Sequence, residues 1–308
     1  MQNTQTIMMV RPARFQLNDQ TVGSNAFQDN SASGKSEEVS QKAVAEFDNF
    51  VQILQKNGVN VIVVQDTMEP PKPDSLFPNN WVSFHADGTV VLYPMEAVNR
   101  RWERRRAILD LLRTEFDIKN EIDLSFYEQE NKFLEGTGSL ILDRENKIAY
   151  ACLSSRTNPE ILEDFAKKMD FEVVSFWSTD RQNKAIYHTN VMMCVGKKYV
   201  VICLESIKDA AERQKVVQII QKTDKEIIEI SFEQVESFAG NMLEVVNKAG
   251  ESKLVMSEQA FKSLNTAQIG QIEKYSQIVS APIYTIERYG GGSARCMLAE
   301  VFLPKKNQ

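Results

Sequence analysis

Val191-Met192-Met193-Cys194-Val195, then Tyr199-Val200-Val201-Ile202-Cys203-Leu204, then a run from Asp209 to Lys222, and last Ile227-Ile228-Glu229-Ile230 follow one another in mid-chain. The first two are short and rich in apolar, strand-favouring residues and read as a pair of strands; the third reads as a helix and the fourth as one more strand. That grammar recurs with a period of roughly 50 to 60 residues, the mark of a repeat architecture. Upstream, Trp81 to Tyr93 reads as strand, turn at Ala86-Asp87-Gly88 and strand, and a charged helix pattern follows from about Arg100 to Phe116. Ser139 to Leu142 and Lys147 to Leu153 form the next hairpin, with a helix after Asn158-Pro159 and a strand at Phe171 to Phe176. Downstream, Met242 to Val246 and Lys253 to Met256 precede helices through Tyr275 and a strand from Ile278 to Ile286. The first unit is incomplete: strand Thr6 to Val10, a polar excursion from Asn18 to Gly34, a helix from about Glu37 to Lys56 and a strand Asn60 to Gln65. Met297 to Leu303 stands ready to pair with the opening strand and close a ring.

Five such units around an axis make an α/β propeller. We expect one domain over residues 1–308, because Pro70-Pro71-Lys72-Pro73 is the only linker-like stretch and both its flanks fit the repeat. In a closed propeller the turns of every unit point to one central cavity, so residues far apart in sequence can share a site. Composition narrows the function. A net charge of -6 and a pI near 5.3 lack the basic footprint of a nucleic-acid binder, and no apolar run approaches a membrane span. Met1 to Thr6 show no basic region followed by a long apolar stretch, so the cytoplasm is the expected compartment. Four scattered cysteines make no disulfide framework and no zinc spacing, and neither a metal nor an organic cofactor is expected. Oligomeric state is not legible.

Cys152, Cys194 and Cys203 lie in apolar strand-like runs and are expected in the core. Cys296 differs, because it follows Arg288-Tyr289-Gly290-Gly291-Gly292-Ser293-Ala294-Arg295. Adjacent glycines contribute no packing and are tolerated where the chain needs φ > 0 or lets a ligand come close. Cys296 is therefore a candidate nucleophile, the other reading being a small buried cysteine at the start of the last strand. Of the two histidines, His85 precedes the Ala86-Asp87-Gly88 turn and reads as a hairpin surface residue, while His188 in Tyr187-His188-Thr189-Asn190 stands at the start of a strand. Glu135, in Leu134-Glu135-Gly136-Thr137-Gly138, is a glycine-flanked carboxylate just before a hairpin. Thiolate chemistry uses these three types together: an imidazole to shuttle protons and a carboxylate to fix its tautomer and charge.

Taken in order, Phe77-Pro78-Asn79-Asn80-Trp81, Asn99-Arg100-Arg101-Trp102-Glu103, Leu134-Glu135-Gly136, Ser155-Arg156-Thr157, His188-Thr189-Asn190 and Gly291-Gly292-Ser293-Ala294-Arg295-Cys296-Met297 resemble the guanidino-group modifying enzymes. That superfamily includes arginine deiminase, dimethylargininase and the amidinotransferases; the chain most resembles its citrulline utilization hydrolase branch. The resemblance covers essentially the whole chain and implies the pentein fold, a five-unit α/β propeller. It also implies attack of Cys296 on the central carbon of the substrate, with His188 as acid/base and Glu135 as its carboxylate partner. Arg100 and Arg156 fall where arginine deiminases hold the substrate's α-carboxylate, a task suited to the planar guanidinium fork. Arg100 also begins a dense cluster with Arg101, Arg104, Arg105 and Arg106, so a solvated helix start stays open for it. Arg295 either raises the thiolate population or packs under the glycine turn.

The departures from that resemblance concern the substrate. Where arginine deiminases clamp the guanidinium with two acids, this chain has Asn80 and Asn190, and Gly138 stands where they usually carry an aspartate. An ionised carboxylate only accepts hydrogen bonds, whereas an amide also donates, which suits a neutral ureido group such as that of citrulline. The alternatives are arginine or a methylated arginine, with Asn79 or a carboxylate elsewhere compensating, an amidinotransferase, or a non-catalytic binding protein on the same fold.

Overall fold

The computed structural model describes residues 1–306, with the side chains of Ala32 and Ser33 outside that description. In chain order its strands are β1 (Thr6–Arg11), β2 (Asn60–Gln65), β3 (Val82–Phe84), β4 (Thr89–Leu92), β5 (Asn120–Asp123), β6 (Ile141–Asp143), β7 (Ile148–Cys152) and β8 (Glu172–Phe176). Then come β9 (Met193–Val195), β10 (Tyr199–Ile202), β11 (Glu226–Glu229), β12 (Leu243–Val246), β13 (Ser252–Ser257), β14 (Gln277–Ala281) and β15 (Ala299–Glu300). They form five three-stranded sheets of one design: β3-β4-β5, β6-β7-β8, β9-β10-β11, β12-β13-β14 and β15-β1-β2. In each, the middle strand runs antiparallel to the first strand named and parallel to the third, as in Ser83↔Val91 and Val91↔Ile122. A parallel neighbour needs a crossover connection, and the helices supply it.

The fifth sheet takes its strands from both ends of the chain. β15 pairs antiparallel with β1 through Ile7↔Glu300 and Met8↔Ala299, as the sequence suggests. It is only two residues long, because Ala294–Met297 turns into a 3-10 helix instead of entering the ladder. Gln2 strengthens the junction, its Nε2 donating to the carbonyls of Leu142 and Val195 in two other units.

Middle strands are covered on both faces, which is why β4, β7 and β10 read as continuous apolar runs. The connecting helices bury one stripe each, for example Ala43, Phe47, Phe50 and Leu54 of Glu37–Lys56. Their starts are set by side-chain caps that satisfy otherwise orphaned amides: Ser36 accepts from Val39 N, Asn158 from Glu160 N with Pro159 behind it, and Asp209 from Glu212 N. The first strands of neighbouring sheets meet, β6 beside β9, β9 beside β12 and β15 beside β3.

Several expectations need correction. The charged run after Ala97 is a 3-10 turn, Val98–Glu103, and the helix starts only at Arg106, because Arg100 and Glu103 are paired inside the protein. Ser139 closes a helical turn, Gly136–Ser139, so β6 starts at Ile141. The last long strand stops at Ala281; Pro282 has no N–H to continue a ladder, and Tyr284–Gly290 is helical. His85 is not a surface residue: Ala86 and Asp87 take the exposed turn, while the imidazole is 5% exposed, with Nε2 2.8 Å from Ser83 Oγ. Burial, with Arg144 nearby, pushes its pKa well down, so it sits in the core as a neutral ring.

Candidate active site

Cys296 lies in the 3-10 turn just after the glycines, and that segment is pinned. Gly291 caps the preceding helix at φ +62, a conformation that favours glycine, and a Cβ there would collide with the Asn25 side chain. Tyr187 donates its hydroxyl to the Gly291 carbonyl at 2.6 Å, Ser293 donates to Glu287, and Asn241 Oδ1 accepts from Arg295 N at 3.0 Å. The glycines thus admit tight neighbours.

His188 precedes a second 3-10 turn, Thr189–Val191, ahead of β9. Thr189 locks it to the adjoining unit, donating to the Ser139 carbonyl at 2.6 Å and accepting from Cys152 N at 2.8 Å. Glu135 heads the turn Gly136–Ser139, where Gly136 takes φ +46 and any Cβ would strike the Asn79 carbonyl. The fully buried Glu135 carboxylate meets His188 Nε2 at 2.8 Å through Oε2 and accepts the Glu96 amide through Oε1. Burial pushes this carboxyl up, but Arg156, the His188 bond and Arg100 outweigh it and hold it well below the usual range. Glu135 is therefore an acceptor, His188 Nε2 carries the proton, and Nδ1 is left as the basic nitrogen. Burial lowers the His188 pKa in spite of Glu135, so the ring is neutral near neutral pH.

Asn80, Arg100, Arg156, His188 and Cys296 line one cavity, joined by Asp74 and Tyr187. Two predicted residues touch it indirectly: Glu135 through His188, and Asn190 through its Nδ2, 3.3 Å from Cys296 Sγ. Arg100 is no solvated helix start. Its Nε and Nη2 grip Glu103 at 2.9 and 3.0 Å, Nη2 reaches the Phe77 carbonyl, and Nη1 donates to Asn80 Oδ1 at 2.9 Å. One N–H of its five remains for a ligand. Arg101, Arg104 and Arg105 also have partners, on the Met95 carbonyl, Glu128 and Asp66. Arg156 binds Glu96 and Glu135 and donates to Ser24 Oγ at 2.6 Å, its guanidinium lying over the Tyr187 ring.

Of the two readings of Arg295, the packing one fits: its guanidinium turns to the Leu298 carbonyl and Glu300. Asn79 is buried with both side-chain polar atoms unpartnered and does not line the cavity. Cys152, Cys194 and Cys203 are core thiols as expected, which burial pushes up to about 12, 12 and 11.

The family model for N,N-dimethylarginine dimethylhydrolase, eukaryotic, matches residues 11–303. The chain belongs to this family. This dimethylhydrolase-family protein thus falls in the arginine deiminase and dimethylargininase superfamily, related to enzymes that act on guanidino-type C–N bonds. No curated protein matches it. Among solved structures, the product-bound N-terminal domain of ArgZ, an arginine dihydrolase from the ornithine-ammonia cycle in Cyanobacteria, aligns at TM-score 0.76 and 20% identity over 97% of this chain and 98% of that one. The chain spans only 41% of the length of the apo ArgZ chain. A dimethylargininase from Pseudomonas aeruginosa complexed with citrulline aligns at TM-score 0.66 and 16% identity over 97% and 100%. At these identities the likeness is one of fold.

Sequence reasoning overlooked three members of this dimethylhydrolase-family site. Asp74 is buried with Oδ1 unpartnered, Oδ2 being held by Asn18. Tyr187 and Asn241 bind the segment that carries Cys296. A signal for Asn241 existed in the repeat, since it stands two residues ahead of β12 as Asn80 stands two ahead of β3. Gly138 also gains a reason: a Cβ there would run into Asn80 Nδ2 and lie 2.8 Å from His188 Nδ1. Gly138→Ala is expected to lower kcat on the order of a hundredfold by forcing these two groups apart, with the far-UV circular dichroism retained. Wild-type kcat in that variant would show that the ring has room to spare.

Proposed function

We propose that the enzyme hydrolyses a ureido amino acid, citrulline by preference, through a covalent adduct on Cys296. The observation that carries this reading is the orientation of Asn80. Its Oδ1 is occupied by Arg100, which leaves the buried Nδ2 without a partner in a residue that lines the cavity. A guanidinium offers donors only and would face this donor unfavourably, whereas a ureido carbonyl accepts from it. Asn190 complements it, its Nδ2 on the sulfur and its buried Oδ1 free to accept a ureido N–H. Leaving such a buried group unpaired costs about 1–3 kcal/mol, so a ligand that satisfies both amides is favoured.

The amino-acid end fits the remaining groups. The unpartnered Asp74 Oδ1 suits an α-ammonium, and Arg156, with the last N–H of Arg100, suits an α-carboxylate that displaces the Ser24 hydroxyl. Of the carboxylates nearby, Glu103 holds Arg100 through both oxygens, Glu135 holds the Glu96 amide and His188, and Glu96 holds Arg156 through Oε2. His188 Nδ1 takes the Sγ proton as sulfur attacks the ureido carbon, then delivers it to the departing nitrogen of ammonia or ornithine. Water cleaves the carbamoyl-type adduct and the carbamate decomposes, so citrulline and water give ornithine, ammonia and carbon dioxide. We read the five sheets as units around one axis, a single pentein catalytic domain over 1–308 closed by its C-terminal strand; residues 307 and 308 lie outside the described residues. Free cysteines fit an enzyme of the reducing cytoplasm.

The test is a screen of citrulline, arginine and methylarginines with ammonia and ornithine both quantified. Citrulline should be consumed with ornithine and ammonia formed in equal amounts. Asn80→Asp should shift preference toward guanidinium substrates by roughly ten- to a hundredfold, since it puts an acceptor and a charge in place of a donor. An unmodified enzyme that deiminates arginine efficiently and ignores citrulline would refute the amide argument.

A further inference from the structure

The sulfur of Cys296 has two hydrogen-bond partners among the described residues, and both are amides. Asn190 Nδ2 and Asn241 Nδ2 each stand 3.3 Å from Sγ. Asn241 is fully buried, and neighbouring backbone leaves it no choice of orientation. Its Oδ1 accepts from Arg295 N at 3.0 Å, and its Nδ2 donates to the Asn190 carbonyl at 2.9 Å. Both partners are main-chain groups of fixed polarity, so flipping the amide would oppose donor to donor and acceptor to acceptor. The second N–H of Nδ2 is thereby aimed at the sulfur. Gly240 makes this approach possible, because any Cβ there would collide with the Val191 carbonyl, in the segment that carries Asn190. When the sulfur is a thiol, Asn241 Oδ1 at 3.6 Å can accept its proton, so one side chain serves both protonation states.

We propose that Asn241 is a catalytic residue that stabilises the Cys296 thiolate by direct hydrogen bonding, with Asn190 as its counterpart. This rests on the reading of Cys296 as the nucleophile. A thiolate needs donors or positive charge. The titratable groups facing the same cavity are Asp74, Arg100, Arg156, Tyr187 and His188, and none is hydrogen-bonded to the sulfur. His188 is neutral, and Arg295, though adjacent in sequence, is turned to Glu300. Amide dipoles therefore do here what an imidazolium does in other thiol enzymes. The two amides thus receive the charge that develops on sulfur as His188 takes its proton, with no charged side chain hydrogen-bonded to the sulfur.

The probe is iodoacetamide, with the rate of Cys296 carboxamidomethylation followed by mass spectrometry as a function of pH in wild type, Asn241→Ala and Asn241→Asp. Loss of one hydrogen bond to a charged sulfur should move the midpoint of the profile upward by about one to two pH units. Near neutral pH, alkylation should then slow about ten- to a hundredfold and converge with wild type under alkaline conditions, where every form is ionised. Asn241→Asp keeps an acceptor for Arg295 N and so guards the fold; it removes the donor and adds a like charge, so its midpoint must rise further still, and an unmoved midpoint there overturns the proposal even if the alanine variant does not fold. A lower rate at every pH with an unmoved midpoint would mean that Asn241 only holds the turn in place, and would overturn the proposal. If wild-type Cys296 is alkylated no faster than Cys152, Cys194 and Cys203, the nucleophile reading itself fails and this inference falls with it. An unmoved midpoint in the variants, with selective Cys296 alkylation in wild type, sinks only the role of Asn241.

Discussion

Cys296→Ser should lower kcat by roughly a thousandfold or more while the protein still folds, because a serine hydroxyl is far less acidic than a thiol and far harder for His188 to deprotonate. The fold should survive, since the turn that carries Cys296 is held by backbone and neighbouring side chains, such as the Tyr187 and Asn241 contacts, and not by the sulfur. Cys152→Ser is the matched control. That thiol is fully buried, is pushed up to about 12 by its burial and donates to the Ile186 carbonyl, so replacing it should change kcat only a few-fold. Steady-state ornithine release and thermal unfolding of both variants decide the matter. Activity retained in Cys296→Ser and lost in Cys152→Ser would show that the nucleophile has been assigned to the wrong thiol.

His188→Ala and Glu135→Gln should each lower kcat by about a hundred- to ten-thousandfold, the range of a lost acid/base group, and the double variant should be little worse than the weaker single one. Non-additivity follows from the geometry: Glu135 reaches the reaction only through His188 Nε2, so once the ring is gone its carboxylate has nothing to orient. Glu135→Gln has a structural cost as well, since Arg156 and Arg100 both lie near that carboxylate in a buried setting. Thermal unfolding measured alongside separates that cost from catalysis. If the logarithms of the two rate losses simply add, the pair does not act as a unit and the proton path described above is wrong.

How much of this was legible from the chain alone differs by element. The hairpin of β9 and β10, the caps at Ser36, Asn158 and Asp209, and the helices they begin are local facts, written in apolar periodicity and in side chains that satisfy nearby amides. They sufficed for the repeat, for the count of units and for the pairing of the two chain ends, because a repeated local pattern needs no knowledge of distant neighbours. The residue types at the site were legible too, since one cysteine, one histidine and one glutamate stood apart from the core runs around them. Strand ends were less so: the helical turns at Gly136–Ser139 and Ala294–Met297 replace predicted ladder residues because neighbouring units press against them. The same holds for burial. His85 follows a turn that looks exposed, yet its ring faces inward to Ser83, and Arg100 heads a run of charges yet lies paired with Glu103. What only the tertiary structure decided is orientation: which end of the Asn80 amide Arg100 holds, which way Arg295 turns, and that Asn241 meets a sulfur 55 residues away. Those facts depend on fixed partners contributed by other units, and no window of local sequence contains both halves of such a contact.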